Sequence, residues 1–224
     1  MKTHDLVFAN RPNLRFINKI FYGGNDVAFS SYGEKWRYMK SICVTQLLSR
    51  RMVQSFRPIR EEEVARVIEE IKSYDRSILN LSGILLALFK GIINRTALGR
   101  TCTGVDENGI GFYKLIKDLL KVMGKVSVGD YVPTLRWVDR LSGLERQVEN
   151  MRKQFDDFIE TIIQEHEIRL NSDQVYTDEG DEHRIKDFVD VLLKVQSENP
   201  EWLSRDNIKA IILVSHSRFS PDYH

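Results

Sequence analysis

Leu144, Val148, Met151, Phe155, Phe158, Ile159 and Ile162 recur at three- and four-residue steps and form the longest apolar stripe in the chain. Successive helical side chains turn by about 100°, so this spacing lays all seven on one face. It predicts a long helix reaching past Glu165, with the stripe turned toward a core. Val64, Val67, Ile68 and Ile71 predict one face of a helix starting near Arg50. Leu81 to Ile93 is apolar on most sides, the pattern of a helix buried within a bundle. Phe112 to Met123 predicts a further helix, closed by the loop Val128-Gly129-Asp130-Tyr131-Val132-Pro133. Phe188, Val191, Leu192 and Val195 mark a short one that Asn199-Pro200 ends, and Ser204 is placed to cap a last helix from Asp206 through Leu213. Gly99 and Gly104 punctuate a turn, while Asn171 to Glu182 is polar, acidic and aperiodic, as in a surface loop. No strand pattern, repeat or linker interrupts this series, so the fold class is mainly α.

Composition narrows the function. Lys and Arg number 33 against 32 Asp and Glu, and the formal charge of +1 comes with no local basic block, which argues against a nucleic-acid partner. Cys43 and Cys102 are too few for a secreted disulfide framework and read as buried thiols in a reducing compartment. Met1 to Arg15 holds no apolar core of signal-peptide length. Ile84 to Phe89 is interrupted by Lys90 and is too short to span a bilayer, so the chain taken alone reads as soluble.

Few residues suggest chemistry. Trp36 and Lys40 stand four apart, so a helix puts both on one face, where an indole N–H and an ammonium could hold a carboxylate. A partly buried Trp beside a solvated Lys fits the same spacing. His166-Glu167 opens like a zinc-protease helix, but Leu170 stands where the second ligand belongs. His4, His183, His216 and His224 are not paired at metal-ligand spacing, and all five histidines read as solvated. No Gly-x-Ser-x-Gly occurs, Asp106 to Gly111 reads as a loop, and Asp156-Asp157 and Glu61-Glu62-Glu63 read as solvated helix faces.

Several phrases taken in order are more specific. Phe8-Ala9-Asn10-Arg11-Pro12 is followed by Ala28-Phe29-Ser30-Ser31-Tyr32-Gly33-Glu34-Lys35-Trp36-Arg37 and Ser49-Arg50-Arg51-Met52-Val53-Gln54-Ser55-Phe56. Then come Thr96-Ala97-Leu98-Gly99-Arg100, Trp137-Val138-Asp139, Phe155-Asp156-Asp157-Phe158, Asp187-Phe188-Val189-Asp190-Val191-Leu192-Leu193 and Ile208-Lys209-Ala210-Ile211-Ile212-Leu213. This series resembles the plant A-type cytochromes P-450, heme-thiolate monooxygenases, from about Met1 to Leu213. The resemblance implies a partial fold, the helices lettered B to H and the start of I, over residues 1–213, with 214–224 a divergent, unstructured tail. It gives Trp36 a role as donor to a heme propionate, with Lys40 replacing the family's Arg and pairing as a point charge without the two-pronged guanidinium geometry. Arg37 follows the Trp as in the family. Leu14 to Phe29 would be the first substrate-recognition loop, with Phe16, Ile17, Ile20 and Phe21 suited to an apolar ligand, or equally to core packing.

Full-length relatives imply heme, iron, O2, a lipophilic small molecule, electrons from NADPH-cytochrome P-450 reductase and the endoplasmic-reticulum membrane, in plant secondary metabolism. The family's Phe-x-x-Gly-x-Arg-x-Cys-x-Gly loop, whose thiolate holds the iron, does not occur here, nor does its Ala-Gly-x-Asp-Thr oxygen-binding segment, and the resemblance places no segment of this chain at the Glu-x-x-Arg pair that braces the fold. No metal ligand and no catalytic residue is expected in these residues, and a chain without an axial Cys or membrane anchor is expected to be inactive alone and cytoplasmic or degraded. The competing readings are a non-catalytic helical module binding a ligand or partner, and a pseudogene product.

Overall fold

A computed structural model of the chain describes residues 9–74, 78–100, 112–125, 127–176 and 186–217. No strand occurs among the described residues. The first elements are α1 (Arg15–Ile20) and α2 (Glu34–Ile42), the latter continued by a π-helical turn, Cys43–Leu47. Next come α3 (Arg50–Ser55), α4 (Arg57–Ser73), α5 (Leu81–Leu98) and α6 (Phe112–Met123). The short α7 (Val128–Tyr131), a 3-10 turn at Pro133–Leu135 and α8 (Arg136–Leu141) lead into α9 (Leu144–Tyr176). The series closes with α10 (Phe188–Glu198) and α11 (Arg205–Ser217).

Helix α9 is the axis of the assembly. Its seven stripe residues are all buried, as the spacing predicts, and α1, α6, α8, α10 and α11 pack around it. Phe155, Ile159 and Ile162 meet Ile116 and Leu119 of α6, with Leu192 of α10 and Ile211 of α11 in the same cluster. Each such side chain contributes about 1.5–3 kcal/mol when fully buried, so this junction carries much of the driving force.

Several expectations are corrected. The helix starting at Arg50 is two helices, because Pro58 has no N–H to donate to the carbonyl of Gln54, and the chain breaks at Phe56. On α4 the buried residues are Ile59, Glu63 and Val67, whereas Val64, Ile68 and Ile71 are exposed. The reason is a polar lock: Glu63 faces α5 at Gly91, where a Cβ would come within 2.5 Å of its carboxylate, and Arg95 donates to it at 3.2 Å. Helix α5 is not enclosed on most sides, since Leu81, Leu85 and Phe89 are exposed. It is also long and apolar enough to cross a membrane by length and composition, unlike its core segment Ile84 to Phe89, though Arg95, paired with Glu62 and Glu63, ties it to α4.

The span read as a loop from Leu14 to Phe29 contains α1, and the loop read over Val128 to Pro133 contains α7. Helix α9 continues through Asn171 to Tyr176, where a surface loop is expected; the rest of that segment and Gly104 lie outside the described residues. Helix α11 runs past Leu213 to Ser217, so residues 214–217 are helical where a divergent, unstructured tail is expected, and residues 218–224 lie outside the described residues.

The Ser204 cap is present in reciprocal form. Its Oγ accepts from the Asn207 backbone N–H at 3.3 Å, and its own N–H donates to Asn207 Oδ1 at 3.0 Å. Ser204→Ala is expected to lower stability by about 1 kcal/mol, read as a shift of the urea midpoint at constant slope. A change indistinguishable from zero would show that Asn207 alone sustains the start of α11.

Candidate functional site

Helix α2 brings Trp36 and Lys40 together. The Lys40 ammonium lies 4.9 Å from the centroid of the Trp36 ring, and the Arg11 guanidinium lies 5.9 Å from the same ring. Arg37 turns away and sits 5.6 Å over Tyr32. Trp36 is half-buried, and its indole N–H donates to the backbone carbonyl of Val27 at 3.0 Å. The spacing reveals the shared face; it gives no sign of the Val27 contact, which arises because residues 27–33 fold back over the helix start. Lys40 and Arg11 remain exposed cations able to receive a carboxylate, but the Trp36 donor is already engaged.

Cys43 follows directly on α2, in the π-helical turn, partly buried. Burial pushes its thiol up to about 11, so it is protonated near neutrality and does not offer the thiolate that binds a metal. Cys102 lies outside the described residues.

The apolar residues of α1 have a different surrounding. Phe16 and Ile20 are buried, Ile17 is partly buried, and all three line a cavity of about 140 Å³ with Leu14, Val122 and Met123. Phe21 does not line it; its ring packs on Phe29 with centroids 4.7 Å apart. Across the cavity, α7 is held by Asp139, whose buried carboxylate accepts from Val128 N–H at 3.0 Å, Gly129 N–H at 2.9 Å and Ser127 Oγ at 2.9 Å. Arg15 of α1 donates to the same carboxylate at 3.0 Å. Burial alone would raise the Asp139 carboxyl, but these hydrogen bonds and the Arg15 charge outweigh it and hold it below the usual range. Both walls of the cavity are thereby fixed to one side chain.

Two charged clusters were not legible as such. His166 is buried, not solvated; its Nε2 lies 2.9 Å from Asp187 Oδ2 and its Nδ1 2.8 Å from the carbonyl of Ile162. Arg169 donates to Asp187 at 3.3 Å and to Asp190 at 2.8 Å, and the two carboxylates form a capping box at the start of α10. His166, Asp187 and Asp190 lie close enough to hold a metal ion, but the Arg169 guanidinium already supplies the positive charge there. The sequence does carry a signal, because His166 falls four residues after Ile162 and so continues the buried stripe. His216 is buried as well, with Nδ1 donating to the Ile212 carbonyl at 2.9 Å.

The second cluster joins α11 to α9. Lys209, almost fully buried, donates to Asp156 at 2.6 Å and pairs with Glu160 at 2.8 Å. Tyr22 donates its hydroxyl to Asp156 at 3.1 Å. Arg205 reaches Glu160 at 2.7 Å and Glu167 at 2.6 Å, and these contacts, Arg205 first, lower the Glu160 carboxyl to about 2. Asp156 and Glu63, expected on solvated faces, are thus partners across helices.

Comparison with known proteins fits this geometry to one group. The family profile described as Cytochrome P450 matches residues 1–215. The chain is 44% identical over 218 residues to "Cytochrome P450 71A2" of Solanum melongena, covering 96% of this chain and 42% of that protein. It is 44% identical over 218 residues to "Cytochrome P450 71A20" of Arabidopsis thaliana, covering 95% and 41% respectively. A solved zebra fish cytochrome P450 with progesterone superposes with a TM-score of 0.65 at 14% identity, over 95% of this chain and 46% of that one. The chain thus spans about 42% of the length of the curated relatives it matches.

Proposed function

This chain belongs to the cytochrome P450 family, and from that premise we propose that it supplies the propionate-contacting and substrate-facing part of a heme-thiolate monooxygenase. The full-length protein would insert one oxygen atom from O2 into a small lipophilic molecule, with electrons from NADPH-cytochrome P-450 reductase at the endoplasmic-reticulum membrane. Heme is the cofactor of the full-length relatives. In this reading Lys40 pairs with a propionate, Trp36 packs beneath it, and Arg37 contributes least because it rests on Tyr32. Phe16, Ile17 and Ile20 face the apolar ligand, and Phe21 supports them through Phe29. The 224 residues by themselves do not turn over substrate.

The observation that carries this last point is the state of Cys43. A thiol held protonated by burial, in a helical turn rather than an open loop, does not push electron density onto an iron. Propionate pairing at an exposed lysine contributes on the order of 1 kcal/mol or less, too little to retain a porphyrin.

The test is a hemin titration of the purified chain, read by absorption and by the carbon monoxide difference spectrum after reduction, with helix content followed by circular dichroism. A helical protein showing no thiolate-type Soret band is the expected result. A thiolate-type band that disappears in Cys43→Ser would overturn the reading. A second reading, a helical module that binds a partner chain, draws on the exposed stripes Val64, Ile68, Ile71 and Leu81, Leu85, Phe89.

A further inference from the structure

We propose that the outer face of the α4–α5 pair is a self-association surface, through which two copies of this chain form a symmetric dimer. The inference rests on the second reading above, a module that binds a partner chain, and names that partner as a second copy.

Helix geometry puts the two exposed stripes on one surface. Glu63 of α4 faces Gly91 of α5, and Arg95, one turn further along α5, reaches back to Glu62, so the helices run antiparallel. Glu63 and Val67 are the buried row of α4, and Ile84, Gly91 and Arg95 fall in one row of α5 at helical steps. The exposed residues stand one position later. Val64 and Ile68 follow Glu63 and Val67, and Leu85 follows Ile84. In an antiparallel pair, a step of one residue turns the side chains of both helices toward the same side. Val64, Ile68 and Ile71 therefore adjoin Leu81, Leu85 and Phe89 in a single two-helix face. Behind it, Arg66 and Arg95 both grip Glu63, at 2.6 and 3.2 Å, and tie the helices together before any partner arrives.

Area and charge select the occupant. The six side chains are 38% to 57% exposed and together leave on the order of 500 Å² of apolar surface in water. Two copies meeting through it bury on the order of 1,000 Å², the floor for a specific interface. Charges bordering the stripes are paired within the chain: Arg57 with Glu61 at 2.6 Å, Lys72 with Glu69 at 2.7 Å and Arg95 with Glu62 at 2.6 Å. A second copy thus meets no net repulsion. An anionic lipid surface is not attracted, because α4 carries five glutamates against three arginines and one lysine.

A two-fold axis along the groove between the helices lays α4 of each copy on α5 of the other. Every neighbouring pair in the resulting four-helix layer is antiparallel, and the symmetric contact closes at two copies. Because Glu63 is level with Gly91, Ile68 falls level with the stretch from Leu85 to Phe89 and meets that stretch of the second copy.

Sedimentation velocity on the 224-residue chain tests the proposal. A monomer–dimer equilibrium that stops at two copies is expected, with a dissociation constant on the order of 10 µM. Ile68→Lys and Leu85→Glu are each expected to weaken it at least about ten-fold, with helix content by circular dichroism unchanged. Mixing the two variants is expected to restore association, because the ammonium introduced on α4 of one meets the carboxylate introduced on α5 of the other. Leu141→Ser, at an exposed position on α8, is expected to leave the constant within about two-fold. A chain monomeric at every concentration, open-ended aggregation, or loss of the dimer in Leu141→Ser would overturn the inference. Unchanged association in both charged variants, or a mixture no tighter than either alone, would do the same. So would loss of the dimer to neutral phosphatidylcholine vesicles, which would assign the face to lipid. A monomeric chain that still gives the expected hemin spectra fails this inference alone.

Discussion

Replacing Gly99 with alanine is expected to lower the unfolding free energy by about 3–5 kcal/mol, the loss associated with breaking a buried ion pair. Gly99 follows the end of α5 with φ +65°, in the left-handed region, and its N–H closes the helix on the Arg95 carbonyl at 3.2 Å. A side chain in that conformation costs roughly 1–2 kcal/mol by itself. The larger part comes from position: a Cβ there would run into Asp187 Oδ2, closer than any side chain can tolerate. Asp187 cannot retreat without releasing His166, Arg169 and the cap of α10 together. Urea denaturation compares Gly99→Ala with Gly124→Ala, whose Cβ would meet nothing nearer than 3.6 Å. A loss below about 1 kcal/mol at Gly99, with the slope unchanged, would mean that the Asp187 cluster moves freely and does not lock α5 to α10.

Acidification is expected to remove stability well above the range where ordinary carboxylates titrate. Burial lowers the His216 imidazole from 6.5 to about 4, because a second proton would place charge among buried residues of α11. The folded state therefore binds that proton less readily than the unfolded chain. Its contribution is complete above pH 6.5 and declines as pH falls toward 4, by up to about 1.4 kcal/mol for each unit. Glu160 acts in the same direction lower down: Arg205 and Lys209 hold its carboxyl at about 2 in the fold against 4.5 when unpaired, so its contribution declines as pH falls from 4.5 and is gone below about 2. Denaturant melts between pH 7 and 4 should show the loss, and His216→Leu should flatten that window while leaving the region below 4 steep. A His216→Leu profile parallel to wild type would sink the assignment.

The candidate site was legible in pieces. Four-residue spacing reveals that Trp36 and Lys40 share a face, and the apolar character of Phe16, Ile17 and Ile20 marks α1 as ligand-suited or core. Neither pattern reveals that Val27 takes the indole N–H or that Phe21 turns to Phe29 instead of the cavity. These outcomes depend on how residues 21–33 fold back, and Tyr22, Gly23 and Gly24 make that reversal with positive φ that no apolar periodicity encodes.

By itself the sequence determined that α9 exists, which of its faces is buried, where α11 is capped, and to which family the chain belongs. Those properties are local or follow from ordered phrases, since one face of a helix is set by residues three and four apart. Tertiary structure alone decided which charges are interior. Glu63 and Lys209 find their partners across 32 and 53 residues of chain, and burying a charge is tolerable only where such a partner arrives. Spacing along the chain carries no record of that meeting.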